Sequence, residues 1–300
     1  MHCRRGQPDF IESRIAPHRG MRGRCSLCQQ PAPGYDRLPE RRWQFVPLWG
    51  IPTWYRYAPR RVECAEHGVV VEQIPWSDGK RRVTCAMMGF LARWARRLSW
   101  RETAQVFQTS WESVYRSVEW FVQWGLAHRQ LDGVEALGVD EIHWGHGLRA
   151  DNFLTVIYQI DASCRRLLWV GKRRSETTLR RGLKALGPEV IQGLRFVCSD
   201  MWKPYLKVVA SEAGQALHVL DRFHITTHLN QAVDQVRRAC RERTPGAQGE
   251  VSAGAVEGLN NKIRVVTRRS YGFRNYEAME IALYHTLGRL PEPESTHRFC

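Results

Sequence analysis

From Thr84 to His128 apolar residues recur every three or four positions, the period of helices packed on one face. Beyond Ala136 the texture changes. Short β-rich runs (ALGVDEI, FLTVIYQI, RRLLWVG, RFVCS and ALHVL) are interleaved with stretches of helical spacing, SETTLRRGLKALG and WKPYLKVVASEAG, and a further helical stretch runs from His224 to Arg243. Three strands, a helix, a strand, a helix and a strand predict an α/β domain whose sheet is partly parallel. Residues 21–78 instead mix Cys, Pro, Gly and aromatics in short extended pieces, as small metal-stapled domains do. The pattern divides the chain into a flexible arm over 1–20, a stapled domain over 21–80, a helical region over 81–132, an α/β domain over 133–288 and a disordered tail over 289–300.

Charge narrows the partner. Lys and Arg number 45 against 30 Asp and Glu, a net charge of +15. An excess of that size is the footprint of a nucleic-acid binder, although an acidic membrane surface attracts the same sign. No apolar run approaches the roughly 20 residues that span a bilayer, so no membrane partner is expected. No apolar segment follows the basic start MHCRRGQPDF, so no signal peptide is expected and the chain is assigned to the cytoplasm. There its nine cysteines should be reduced, serving metal ligation or burial.

Two ligand pairs stand out. Cys25 and Cys28 are separated by two residues, and so are Cys64 and His67. A turn brings the donors of each pair to one side of a metal, and two such pairs close a tetrahedral zinc site with a structural role. Four incidental buried side chains are the alternative. Downstream, Ser99 and Glu102 form a capping box, then a short helix reaches about Phe107, and Gln108-Thr109-Ser110 turns the chain into a second helix. Trp111, Val114, Tyr115, Val118 and Val122 form that helix's apolar stripe, leaving Glu112, Ser113, Arg116 and Ser117 outward. This helix-turn-helix suits insertion of the second helix into a DNA groove, with Ser113 and Arg116 as contacts; a helical linker that only packs gives the same pattern.

Asp140 ends the first strand of the α/β part, Asp200 ends a later strand, and Glu257 opens a helix in GAVEGLNNKIRVVTRR. Carboxylates at neighbouring strand ends with a third on an adjoining helix can converge on hard divalent cations, as phosphodiester chemistry requires. Each acid taken alone is equally a solvated strand end or helix start. Lys262, Arg264, Arg268 and Arg269 follow Glu257, and Lys172, Arg173 and Arg174 extend the basic surface. Such charge beside a metal site would hold DNA by its phosphates.

GVDEIHW, then SDMWKPY, DRFH and EGLNNKIRVVTRRSYGFRN, resemble the ISL-three family of insertion-sequence transposases, and CxxC…CxxH with EQIPW is similar too. The resemblance implies a ribonuclease H-like mixed-sheet core preceded by a helix-turn-helix region and a small zinc-binding domain. It makes Asp140, Asp200 and Glu257 a catalytic triad for Mg²⁺ or Mn²⁺, with Asp221 and His224 of DRFH in support, and adds Zn²⁺ in the amino-terminal domain. The implied partner is double-stranded DNA, both element terminal inverted repeats and target, engaged by a homodimer in the nucleoid. The implied activity is strand cleavage and strand transfer. The family carries a long helical segment between the DRFH and EGLNNK helices, where this chain has only RERTPGAQGEVSAGAV. An inactive, shortened transposase acting as a DNA-binding repressor is therefore the alternative.

Overall fold

A computed structural model of the chain describes residues 9–77, 80–144, 152–200, 202–220 and 276–293. The chain divides into two compact units, one running to Gly125 and taking in residues from Glu292, the other running from Leu126 to Pro291. Among the described residues no helix is long and apolar enough to cross a membrane.

The first unit opens with eight short strands: β1 (Ile11–Arg14), β2 (Gly23–Arg24), β3 (Pro31–Ala32), β4 (Gly34–Arg37), β5 (Arg41–Leu48), β6 (Ile51–Tyr57), β7 (Arg60–Cys64) and β8 (Gly68–Val71). They form a β1-β6-β5 sheet, a β4-β7-β8 sheet and a β2–β3 ribbon. Residues Ile11–Arg14 lie in the stretch expected as a loose arm, yet they pair in parallel with Thr53–Arg56. Ion pairs from Glu12 to Arg42 and Arg56 help hold them there. Three helices follow, α1 (Cys85–Trp94), α2 (Trp100–Val106) and α3 (Trp111–His128). Ser99 and Glu102 make both halves of the capping box, and Gln108 takes a left-handed φ of 49° to turn the chain between α2 and α3. Val114, Val118 and Val122 of the expected stripe are buried, whereas Trp111 is half exposed and stacks on Tyr115; Ser117, expected outward, is buried and donates its hydroxyl to Ser113 O at 2.6 Å. In the expected tail, Glu292 pairs with Arg93 and Arg96 of the same unit.

The second unit holds β9 (Ala136–His143), β10 (Phe153–Ile160), β11 (Arg165–Lys172), α4 (Glu176–Leu186), α5 (Pro188–Gln192), β12 (Phe196–Ser199), α6 (Lys203–Glu212), β13 (Leu217–Leu220) and α7 (Tyr276–Leu287). Its sheet runs β11-β10-β9-β12-β13. β10 is antiparallel to both neighbours, while β9, β12 and β13 pair in parallel. Within the unit this is strand order 3-2-1-4-5 with only the second strand reversed, the ribonuclease H-like arrangement. Leu137 and Val139 of β9 pack with Leu179, Leu183 and Leu186 of α4 and Tyr205 and Val208 of α6. Gly182 lets α4 lie close to the sheet, since a Cβ there would come within 2.6 Å of the Trp169 ring. Side chains alternate along a strand, so Glu141 shares the face of Leu137 and Val139, and Asp140 points to the other.

Candidate functional site

The ligand atoms of Cys25, Cys28, Cys64 and His67 all lie within 4.8 Å of one another. Cys28 and Cys64 sulfurs are 3.6 Å apart, and His67 Nδ1 is 3.5 Å from Cys64 Sγ and 3.8 Å from Cys25 Sγ. Two tight turns build this. After β2, Gln29 N–H donates to Cys25 O at 2.9 Å, with Gln29 at φ 61°. After β7, the chain reverses through Gly68 at φ 64° into β8. Zinc–sulfur bonds of about 2.3 Å in a tetrahedron put sulfurs roughly 3.8 Å apart, so the donor set and its spacing fit zinc. The His67 ring, with the backbone amides of Glu66 and His67, pulls the Cys64 thiol down to about 6, toward the thiolate a metal binds. Beside the cluster, Cys25 bridges to Glu72, a buried carboxylate that accepts from Tyr57 Oη and from the Arg60 amide and Nε.

The helix-turn-helix residues are committed locally. Ser113 N–H donates to Ser110 Oγ at 3.0 Å, and the two hydroxyls share a hydrogen bond of 2.8 Å. Arg116 pairs with Glu112 at 2.8 Å and Glu119 at 2.9 Å.

In the second unit the parallel register matches Ala136, Leu137 and Gly138 to Phe196, Val197 and Cys198. Two residues further along each strand stand Asp140 and Asp200, so the same register sets them side by side at one end of the sheet. Both are nearly buried, 9% and 7% exposed, so their charges need compensation from close by. Asp140 Oδ1 accepts from the Glu141 amide at 2.8 Å, and Asp200 Oδ1 from the Trp202 amide at 3.1 Å.

Compensation comes from Arg174, while Glu141 adds a third acid beside them. Arg174 Nη2 lies 3.4 Å from Asp200 Oδ2, and its Nε is in charge contact with Glu141 Oε2 without a well-directed hydrogen bond. The guanidinium stacks 4.3 Å from the Trp202 ring centre and 6.0 Å from that of Phe153. A left-handed φ of 76° at Arg173, whose N–H donates to Phe153 O at 2.8 Å, precedes it. Burial pushes the Glu141 carboxyl up to about 7; Arg174 opposes that shift, and the charges of Asp200 and Asp140 add to it. The run Lys172-Arg173-Arg174 carried a signal only of positive charge; that its third member turns inward depends on the Arg173 kink. Glu257, Asp221, His224, Lys262, Arg264, Arg268 and Arg269 lie outside the described residues.

Residues 137–251 and 245–283 match the family described as Transposase, of the DDE-type ISL3 group. Over 232 residues the chain is 26% identical to the transposase for insertion sequence element IS1557 of Mycobacterium tuberculosis, covering 76% of this chain and 51% of that protein. It is 25% identical over 218 residues to the transposase for insertion sequence element IS1001 of Bordetella parapertussis, covering 70% and 52%. The chain thus spans about half the length of the curated relatives it matches. Among solved structures, the catalytic core domain of BIV integrase aligns with 51% of this chain and 82% of its own at 11% identity and a TM-score of 0.27; the fold is read from the strand order.

Proposed function

The chain is a member of the ISL3 transposase family through residues 137–283, and from that premise we propose that it binds the ends of its element and cleaves and rejoins DNA strands with divalent metal. The observation that supports this reading is the parallel register of β9 with β12 inside the matched segment, which puts positions 140 and 200 at neighbouring strand ends. Asp140, Asp200 and Glu257 would hold Mg²⁺ or Mn²⁺, which supplies activation of the attacking oxygen and neutralisation of charge at phosphorus. The two aspartates fit such a group: they are hard oxygen donors, nearly buried, and one already draws a guanidinium to 3.4 Å.

The reaction has two in-line displacements. Water oxygen bonds to phosphorus while the bond to the element's 3′ oxygen breaks, and that oxygen takes up a proton. The freed 3′-hydroxyl then attacks a target phosphorus and displaces the target's own 3′ oxygen. Arg174 and the Trp202 ring hold the Asp200 side of the site in place, and Glu141, poised near neutrality, can hold or release a proton beside it. Cys25, Cys28, Cys64 and His67 would carry a structural zinc. Lys262, Arg264, Arg268 and Arg269 would grip phosphates near the triad, Asp221 and His224 would support it, and a homodimer would bring two ends together.

A specific observation favours a second reading. The family matches in two stretches that meet near residue 250, and the chain spans about half its relatives. A shortened transposase that occupies element ends without cutting them would act as a repressor. The test is a supercoiled plasmid carrying the DNA that flanks this coding sequence, incubated with the purified chain and Mg²⁺ or Mn²⁺. Nicks at the element boundary, lost in Asp140→Asn and Asp200→Asn, support the transposase. Boundary binding with no nick under either metal leaves the repressor.

A further inference from the structure

We propose that the cleft between β5 and the turn joining α2 to α3 is where this chain grips the sugar-phosphate backbone of duplex DNA. The inference deepens the DNA-binding reading above, and rests on it, by moving the contact away from the outward face of α3.

That face is poorly suited to a polyanion. Its exposed positions include Glu112 and Arg116, with Glu119 alongside, and the single arginine is shared between the two carboxylates. Its local charge is negative. The cleft has the opposite character. It encloses about 620 Å³, many times the volume of a single ion, and is lined by Arg41, Arg42 and Arg82 on one side and Thr109, Ser110 and Ser113 on the other. Arg82 is exposed and has no carboxylate partner among the described residues. Arg41 is held by carbonyls, donating from Nη2 to Lys80 O at 3.1 Å and Arg81 O at 3.4 Å, and stacks on Trp43. Those contacts orient the guanidinium and leave its charge uncompensated. Arg42 shares Glu12 with Arg56 and lies over the Trp54 ring. The one lining acid, Glu40, is matched by Arg14 and Arg56.

The opposite wall adds hydroxyl donors and the positive end of an 18-residue helix. The walls are also tied together before any ligand arrives. Gln44, 3% exposed, receives an N–H from Thr84, donates its own N–H to Arg82 O and sends its side-chain amide to Phe107 O at 2.9 Å. A preformed basic groove spares the ordering cost of binding. Arginine forks with hydroxyl donors, and no base-reading pattern, suit phosphate contacts that position a duplex without reading its sequence.

The experiment uses the full chain and a fluorescent mixed-sequence duplex, with affinity measured between about 50 and 200 mM salt. Arg82→Glu should weaken binding about tenfold or more and lower the slope of log affinity against log salt by about 1. Arg82→Lys should restore most of both, and Arg116→Ala should change affinity less than about twofold. Equal melting temperatures of wild type and Arg82 variants check the fold. Unchanged duplex affinity in Arg82→Glu, with loss in Arg116→Ala, overturns the cleft and leaves DNA binding standing. Loss of stabilisation by inorganic phosphate alone, with duplex binding intact, makes the cleft a small-anion site and also overturns it. A wild-type chain that binds no duplex at low salt ends both this inference and the reading beneath it.

Discussion

The sulfur-rich cluster and the carboxylate pair both gather donor atoms, and they meet the electrostatic demand in different ways. Around Cys25, Cys28, Cys64 and His67 the donors crowd within 4.8 Å, and as four protein ligands they would close a metal's coordination shell. Around Asp140 and Asp200 the protein supplies its own cation, Arg174, which bridges Asp200 and Glu141 and stacks on Trp202. A closed cluster would serve the fold. A carboxylate pair with one of its acids facing a guanidinium would leave room for a reacting group.

The largest effect should come from taking metal from the first region. A strong chelator, or Cys28→Ala, should cost the amino-terminal unit most of its stability, since structural zinc contributes roughly 10 kcal/mol or more in small domains. Loss of near-ultraviolet signal from its tryptophans would report this; a chelated protein that melts as before would break the contrast. Next, Asp140→Asn should lower boundary nicking at least about 100-fold while leaving the melting temperature nearly unchanged, because it removes one hard ligand and little packing. A melting loss as large as that of Cys28→Ala would show that the acids are structural as well.

Arg174→Met tests the internal cation. Removing one partner of a fully buried pair costs roughly 3–5 kcal/mol. The Arg174 and Glu141 side chains keep 28% and 16% exposure, so about 2 kcal/mol is expected from denaturant titration of metal-free protein, with greater loss at high pH than at low. Stability unchanged at every pH would mean the bridge is incidental. The smallest effect concerns Glu141. Its folded value, about 7, lies above the ordinary carboxylate range, so the folded state binds the extra proton between pH 4.5 and 7. Stability from this group is therefore present below the unfolded value and is lost as pH rises through 7. Glu141→Gln should flatten that fall by about 1–2 kcal/mol, discounted for partial exposure. A wild-type profile already flat between those limits would remove Glu141 from the proton-holding role.

The two regions were legible to different degrees, for a physical reason. Ligands two residues apart meet through a single turn, so each half of the Cys/His cluster can be read locally; only the meeting of the halves needed β2 and β7. The capping box at Ser99 and Glu102 is likewise local, and it formed as its spacing predicts. The ion pairs of Arg116 are local too: Glu112 and Glu119 stand four before and three after it, the spacing of helical ion pairs.

The sequence by itself determined the helices, the succession of strands and helices in the α/β unit and the chemistry available to each site. These follow from periodicity, capping and short spacings, which act over one or two turns of chain. Only the tertiary structure decided which charges face one another. Asp140 and Asp200 come to neighbouring strand ends because two strands distant in sequence share a register, and Arg174 turns inward beside Arg173, which takes a left-handed φ at the end of β11. Arg41 and Arg82 line one cleft with Ser110 because Gln44 ties a sheet to a helical turn. Electrostatic partnership depends on distance and burial in space, and no pattern along the chain encodes either one directly.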